Sequence, residues 1–130
     1  MTYSKLVNNR KRGDRTIRLL LFTVLNEIHK ITKSNNIDKK KLSRLLIDLD
    51  KKGYNLTPII ENISGPTTPY LKYKIQDLTI FNILNHSSEP IFITDEGMKY
   101  ISHEIDHLYK DPKFTNFIKI TNNLIKTQYI

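Results

Sequence analysis

A chain of 130 residues with a formal charge of +8 is long enough for one compact domain and unusually basic for a metabolic enzyme of that size. It contains no cysteine, which removes disulfide frameworks, thiolate zinc sites and cysteine nucleophiles together and fits a cytoplasmic protein. The longest apolar stretch, residues 19–25, is broken by Thr23 and flanked by Arg18 and Glu27, well short of the roughly 20 residues of a membrane span, and no small-residue cleavage pattern of a secretory signal follows the basic start.

Residues 1–15 read as a basic arm, in which Lys5, Arg10, Lys11, Arg12 and Arg15 stand against one acid, Asp14. An arm of this kind is expected to be disordered when unbound. Over residues 16–32, Ile17, Leu20, Leu21, Val24, Ile28 and Ile31 recur at helical spacing, and Leu19, Phe22 and Leu25 widen the apolar surface, so the pattern predicts a largely buried helix. A second helix is expected over residues 39–52, with Asp38 as its N-cap, Leu42, Leu45, Leu46 and Leu49 as its stripe, and Gly53 at the C-terminal glycine position. Lys40, Lys41, Arg44, Asp48 and Lys51 fall mostly outside that stripe.

Thr57-Pro58 has the threonine-then-proline form of a helix start and predicts a short helical turn through Ile63, ended by Ser64-Gly65-Pro66. Pro66-Thr67-Thr68-Pro69 reads as a further helix start, followed by Leu71, Ile75 and Leu78 on one face and Lys72, Tyr73, Lys74 and Gln76 elsewhere. Residues 79–84 are β-branched or apolar at nearly every position. With a polar turn at residues 85–89 and a second apolar run at 90–94, they predict a β-hairpin whose second strand begins at Pro90, a position compatible with an edge. Thr94 can cap a helix with Met98, Ile101, Ile105 and Leu108 on one stripe. Asp111-Pro112 opens a last helix carrying Phe114, Phe117, Ile118, Thr121, Leu124 and Ile125.

Charge is unevenly spread over these elements: residues 33–52 carry a net +4, whereas residues 89–111 hold six acids against Lys99 and Lys110. The asymmetry points to a polyanionic partner on one face. Lysine runs also line wet helix faces that bind nothing, so their meaning depends on the scaffold that presents them.

Three helices, a short hairpin and a closing helix follow the order of a winged-helix domain, and residues 18–101 resemble small prokaryotic members of that family. Three stretches carry the resemblance. Lys41-Leu42-Ser43-Arg44-Leu45-Leu46-Ile47-Asp48-Leu49 is similar to the second helix, and Gly65-Pro66 followed by Leu71 and Leu78 is similar to the start of the third. Ile91-Phe92-Ile93-Thr94-Asp95-Glu96-Gly97 is similar to the last wing strand and the Thr-x-Glu-Gly opening of the helix after it. The likeness is strongest to the archaeal and bacterial YwgA-like subgroup.

The resemblance implies a mainly α fold with a small β-hairpin (α+β): a winged helix-turn-helix over residues 16–110 with a C-terminal helical extension over 111–130. It further implies a protein that binds double-stranded DNA and regulates transcription without a cofactor, the third helix entering the major groove and the wing touching the backbone. Thr67, Thr68 and Tyr70 would then meet phosphates near the start of the third helix, with Lys72, Lys74 and Gln76 at base edges or neighbouring phosphates. Lys40, Lys41 and Arg44 join them from the second helix, and Arg10, Lys11 and Arg12 would enter the minor groove. On the competing reading Tyr70 and Tyr73 cover core edges and the lysines are merely solvated. One departure is visible: about a dozen residues separate the second and third helices, where a tight helix-turn-helix uses three or four. A protein-interaction module on the same scaffold, antitoxin-like or polymerase-binding, is the alternative function.

His103-Glu104-Ile105-Asp106-His107 matches His-Glu-x-x-His, which sets two imidazoles one turn apart with a glutamate as general base. With Leu108 it resembles the signature of peptide deformylases, and that resemblance makes His103 and His107 metal ligands and Glu104 the base of a metallohydrolase. The cysteine that supplies that family's third ligand is missing, as is its Gly-rich substrate motif. With Ile101, Ile105 and Leu108 defining the buried stripe, the two histidines also project to nearly the opposite side of the helix, so an exposed, adventitious pair is the reading preferred. His29 and His86 have no partner at ligand spacing and are read as structural or exposed. The apolar side of the last helix, lying beyond the winged-helix pattern, predicts a homodimer built through residues 111–130, the alternative being that it folds back on the first helix.

Overall fold

The computed structural model describes residues 10–85 and 91–129, with side chains described from Arg15 onward. Its spine is α1 (Arg10–Thr32), whose Leu20, Leu21, Phe22, Val24, Leu25 and Ile28 are all buried. A helix apolar on so many sides needs neighbours on more than one of them. α1 finds two: α4 (Asp95–Lys110) and α5 (Thr115–Tyr129) both pack along it. The helix starts at Arg10, so residues 10–15 of the expected arm are helical; residues 1–9 lie outside the described residues.

α2 (Lys39–Lys51) follows the sequence closely. The Asp38 carboxylate accepts from the amides of Lys40 (2.9 Å) and Lys41 (3.1 Å), and Leu42, Leu45, Leu46 and Leu49 are buried. Gly53, at φ 96°, closes it: its amide bonds the Asp50 carbonyl at 3.0 Å and the Tyr54 amide bonds that of Leu49 at 2.9 Å, the paired bonds of a left-handed helix stop.

Two expectations fail beyond this point. Residues 57–63 form no helical turn; β2 (Ile60–Asn62) and β3 (Gly65–Thr67) make an antiparallel hairpin in the register Ile60 with Thr67 and Asn62 with Gly65. Asn62 Oδ1 accepts from the Ser64 amide at 3.0 Å, and Gly65 takes φ 114°, so local turn chemistry outweighs the Thr-Pro helix start. α3 (Leu71–Ile80) then runs through residues expected to be a strand. It stops when Asn82 adopts φ 63°, with its amide on the Thr79 carbonyl (3.0 Å) and the Ile83 amide on that of Leu78 (2.9 Å). This is the same stop that ends α2, with asparagine in glycine's place.

Only Leu84–Asn85 remains for β4, which pairs antiparallel with β5 (Ile91–Ile93). The other edge of β5 is taken by β1 (Asn36–Ile37), giving the order β1-β5-β4. Asn35 reinforces that edge: its side-chain amide donates to the Ile93 carbonyl, and its carbonyl receives the Ile93 amide, each at 2.9 Å. Thr94 caps α4 by accepting from the Gly97 amide at 2.8 Å. Asp111 caps the short 3-10 turn Pro112–Phe114 before α5.

The fold is therefore mainly helical with a small antiparallel sheet, as the α+β expectation has it. The last helix folds back as the alternative has it, with Phe117, Thr121 and Ile125 buried against α1 and α2, so Phe117 and Ile125 are taken from the surface expected to build a homodimer. The α1–α4–α5 junction also encloses Glu27, only 1% exposed. Its carboxylate receives the Tyr109 hydroxyl at 2.5 Å, the Asn122 amide at 3.0 Å and the Lys30 ammonium at 3.3 Å. Burial, followed by the hydrogen bond to Glu27, pushes the Tyr109 hydroxyl pKa well above its usual value. Among the described residues no helix is long and apolar enough to cross a membrane.

Candidate nucleic-acid interface

The basic side chains of α2 divide between two faces. Lys40, Arg44 and Lys51, spaced by 4 and 7 positions, line up on one side and are all exposed. Lys41 turns away from them: its ammonium sits 5.3 Å from the centre of the Tyr129 ring, on α5, where burial and then the Asp38 charge raise the Tyr129 hydroxyl pKa. Asp48, two turns along, receives the Gln128 amide from the same helix. Helix α5 thus claims one edge of α2 and leaves the Lys40–Arg44–Lys51 row to solvent.

Two of the hydroxyls expected at phosphates are already engaged. Thr67 lies in β3 and donates its only hydroxyl proton to the Ile60 carbonyl at 3.0 Å, so it holds the hairpin closed. Thr68 shares a 2.6 Å hydrogen bond with Ser43 and ties the segment before α3 to α2. That bond brings the second and third helices together despite the long connection, which the β2–β3 hairpin fills.

Tyr70 stands at the N-cap position of α3 with no side-chain capping bond and is 47% exposed; Tyr73 is 51% exposed, and their ring centres are 6.1 Å apart. Neither tyrosine serves as a core cover. Lys72 and Gln76 share the exposed face of α3, the ammonium of Lys72 lying 5.1 Å from the Tyr73 ring centre. Lys74 does not join them. It is half-buried and stands beside Ile17 and Leu21 of α1. Arg10, Lys11 and Arg12 lie on the opening turns of α1, and their side chains are outside the described residues.

The histidine pair sits where the α4 stripe demands: Ile101, Ile105 and Leu108 are buried, and His103 and His107 are exposed. Among the described residues no group of three or more His, Cys, Asp or Glu side chains could hold a metal ion. His29 is half-buried and meets Asn35 Oδ1 at 3.0 Å, a structural position beside the β1 edge, while His86 lies outside the described residues. Sequence periodicity locates the exposed row on α2. It carries no sign that Thr67, Thr68 and Lys74 are drawn into the fold, since their partners come from distant segments. Comparison of the chain with protein-family models, curated proteins and solved structures finds no match.

Proposed function

We propose that the protein binds double-stranded DNA as a winged-helix regulator of transcription, with the exposed row of α2 on the phosphate backbone and the start of α3 at the groove. The observation that carries this reading is the crowding of Lys39, Lys40 and Lys41 into the first turn of α2, which holds no acidic residue. That turn is the positive end of the helix dipole, so three ammonium groups there oppose the field of their own helix. The capping carboxylate of Asp38 offsets them in part, and the Tyr129 ring meets Lys41 alone. A phosphate placed beside the turn relieves both the dipole and the lysines, which is the chemistry of a polyanion contact. The order of the helices, the antiparallel β4–β5 pair and the exposed Lys72 and Gln76 support the same reading.

One observation favours a protein partner at α3. Its outer side also carries exposed Asp77, and Ile80 and Phe81 beyond it are 73% and 74% exposed, a surface poorly suited to phosphate. Anisotropy of a labelled duplex separates the readings. With about six phosphate contacts, affinity falls by about three orders of magnitude between about 50 and 200 mM salt, and Lys40→Ala combined with Arg44→Ala lowers the salt slope by about two. No binding at the lower salt overturns the DNA reading in favour of the protein-interaction module.

A further inference from the structure

A cavity of about 470 Å³ opens between α1, the C-terminal end of α3 and the N-terminal end of α4. Its walls are apolar: Phe22 from α1, Leu78 and Phe81 from the end of α3, and Ile83 from the link to β4. Tyr100 of α4 stands edge-on to Phe22, with ring centres 5.9 Å apart and planes at 80°.

The mouth carries charge of both signs at two distinct poles. Asp77 lies in the last turn of α3, which has no basic residue, so its carboxylate adds to the negative end of that helix. The result is a place for a cation. Arg18 stands at the rim near the first turn of α4, where Glu96, also on the lining, shares the positive end of that helix with Asp95. That pole is a place for an anion. Among the described residues, neither the Arg18 nor the Asp77 side chain is engaged in a hydrogen bond or ion pair, and both are exposed.

We propose that this cavity binds an apolar α-amino acid as its zwitterion, with the carboxylate on Arg18, the ammonium on Asp77 and the side chain among Phe22, Leu78, Phe81 and Ile83. Simpler ligands use the lining less fully. An apolar amine would leave Arg18 with no ligand anion to hold, and an apolar acid would place a further anion beside Asp77 and Glu96. The zwitterion satisfies both poles, and the planar fork of the guanidinium fixes the carboxylate so that the side chain points inward. This site stands independently of the DNA reading, since none of these residues belongs to the α2 row.

Isothermal titration of the full chain with L-phenylalanine and L-leucine, beside phenethylamine and 3-phenylpropionate, tests it. At least one amino acid binds at one site per chain, and loss of either ligand charge weakens binding by about tenfold or more. Arg18→Ala and Asp77→Asn, at exposed positions that leave the core intact, each lower the affinity by a similar factor, while Lys126→Ala on α5 leaves it unchanged. Absence of binding by both amino acids at millimolar concentration overturns the proposal. So does equal affinity for phenethylamine, or unaltered binding in both cavity variants.

Discussion

The two ends of the chain build one kind of structure and its middle builds another. α1, α4 and α5 interlock through buried Phe22, Ile28, Ile105, Phe117 and Ile125, and through the Glu27 carboxylate that Tyr109 and Asn122 hold from two other helices. Between them, the β2–β3 hairpin and α3 form a thinner layer. Ile63, at the hairpin tip, is fully exposed, as are most of Ile80 and Phe81, and only Leu71, Ile75 and Leu78 of α3 are buried. The contrast teaches where adaptability resides, because segments with few buried apolar contacts open at lower free energy than the core that carries them. The start of α3 and the cavity at its far end both involve the thin layer, backed by the interlocked one.

Breaking the interlocked layer has the largest expected effect. Phe117 is 1% exposed and meets Tyr54 edge-on at 5.0 Å, so Phe117→Ala leaves a cavity between α5 and α2 and costs about 4 kcal/mol. Denaturant unfolding measures it. A loss below about 1 kcal/mol would mean that α5 is a loosely attached appendage, and the comparison would fail.

The seam between the layers comes next, at Gly97. A Cβ there would stand 2.3 Å from the Ile83 carbonyl oxygen, the same oxygen that accepts the Thr94 amide at 3.0 Å. Alanine is the better helix former by about 1 kcal/mol, but a clash with backbone cannot be relieved by rotating a side chain, so Gly97→Ala destabilises by about 2 kcal/mol net. A stabilised variant would show that α4 sits further from the end of α3 than this contact requires.

The long helices outside the thin layer are also the more legible ones. Asp38, the four-leucine stripe and Gly53 define α2, and Thr94 with the Ile101–Ile105–Leu108 stripe defines α4, because caps and period are local signals. What the middle does depends on competition. Thr79, Ile80 and Ile83 favour a strand by residue type, yet the left-handed Asn82 stop lets α3 run on. Thr57-Pro58 has the form of a helix start, yet Asn62, Ser64 and Gly65 make a hairpin turn just beyond it. β1 has two residues, too few for any period to reveal, and its existence follows from pairing with a strand far along the chain. The apolar side of α5 was readable, but which surface it covers was not. At the candidate interface, periodicity reaches the exposed row of α2, whereas the partners of Thr67, Thr68 and Lys74 are tertiary facts.

The smallest effect expected is also the one that best tests the thin layer. Thr68→Val keeps the shape of the side chain and removes the 2.6 Å hydrogen bond to Ser43, the link between α2 and the segment leading into α3. Thr68 is half-buried, so water reaches the site, and Ser43 can turn its hydroxyl to a carbonyl one helical turn back; the loss is therefore about 1 kcal/mol. Its location matters more than its size. The Thr68 carbonyl receives the Leu71 amide at 3.2 Å, so loosening this segment frays the start of α3, where Tyr70 and Lys72 stand. Hydrogen exchange should quicken at the amides of Leu71 and Tyr73 and stay unchanged at the buried positions of α1 and α5. If exchange instead quickens uniformly, the two layers open as one unit, and the division between a rigid frame and an adaptable middle does not hold.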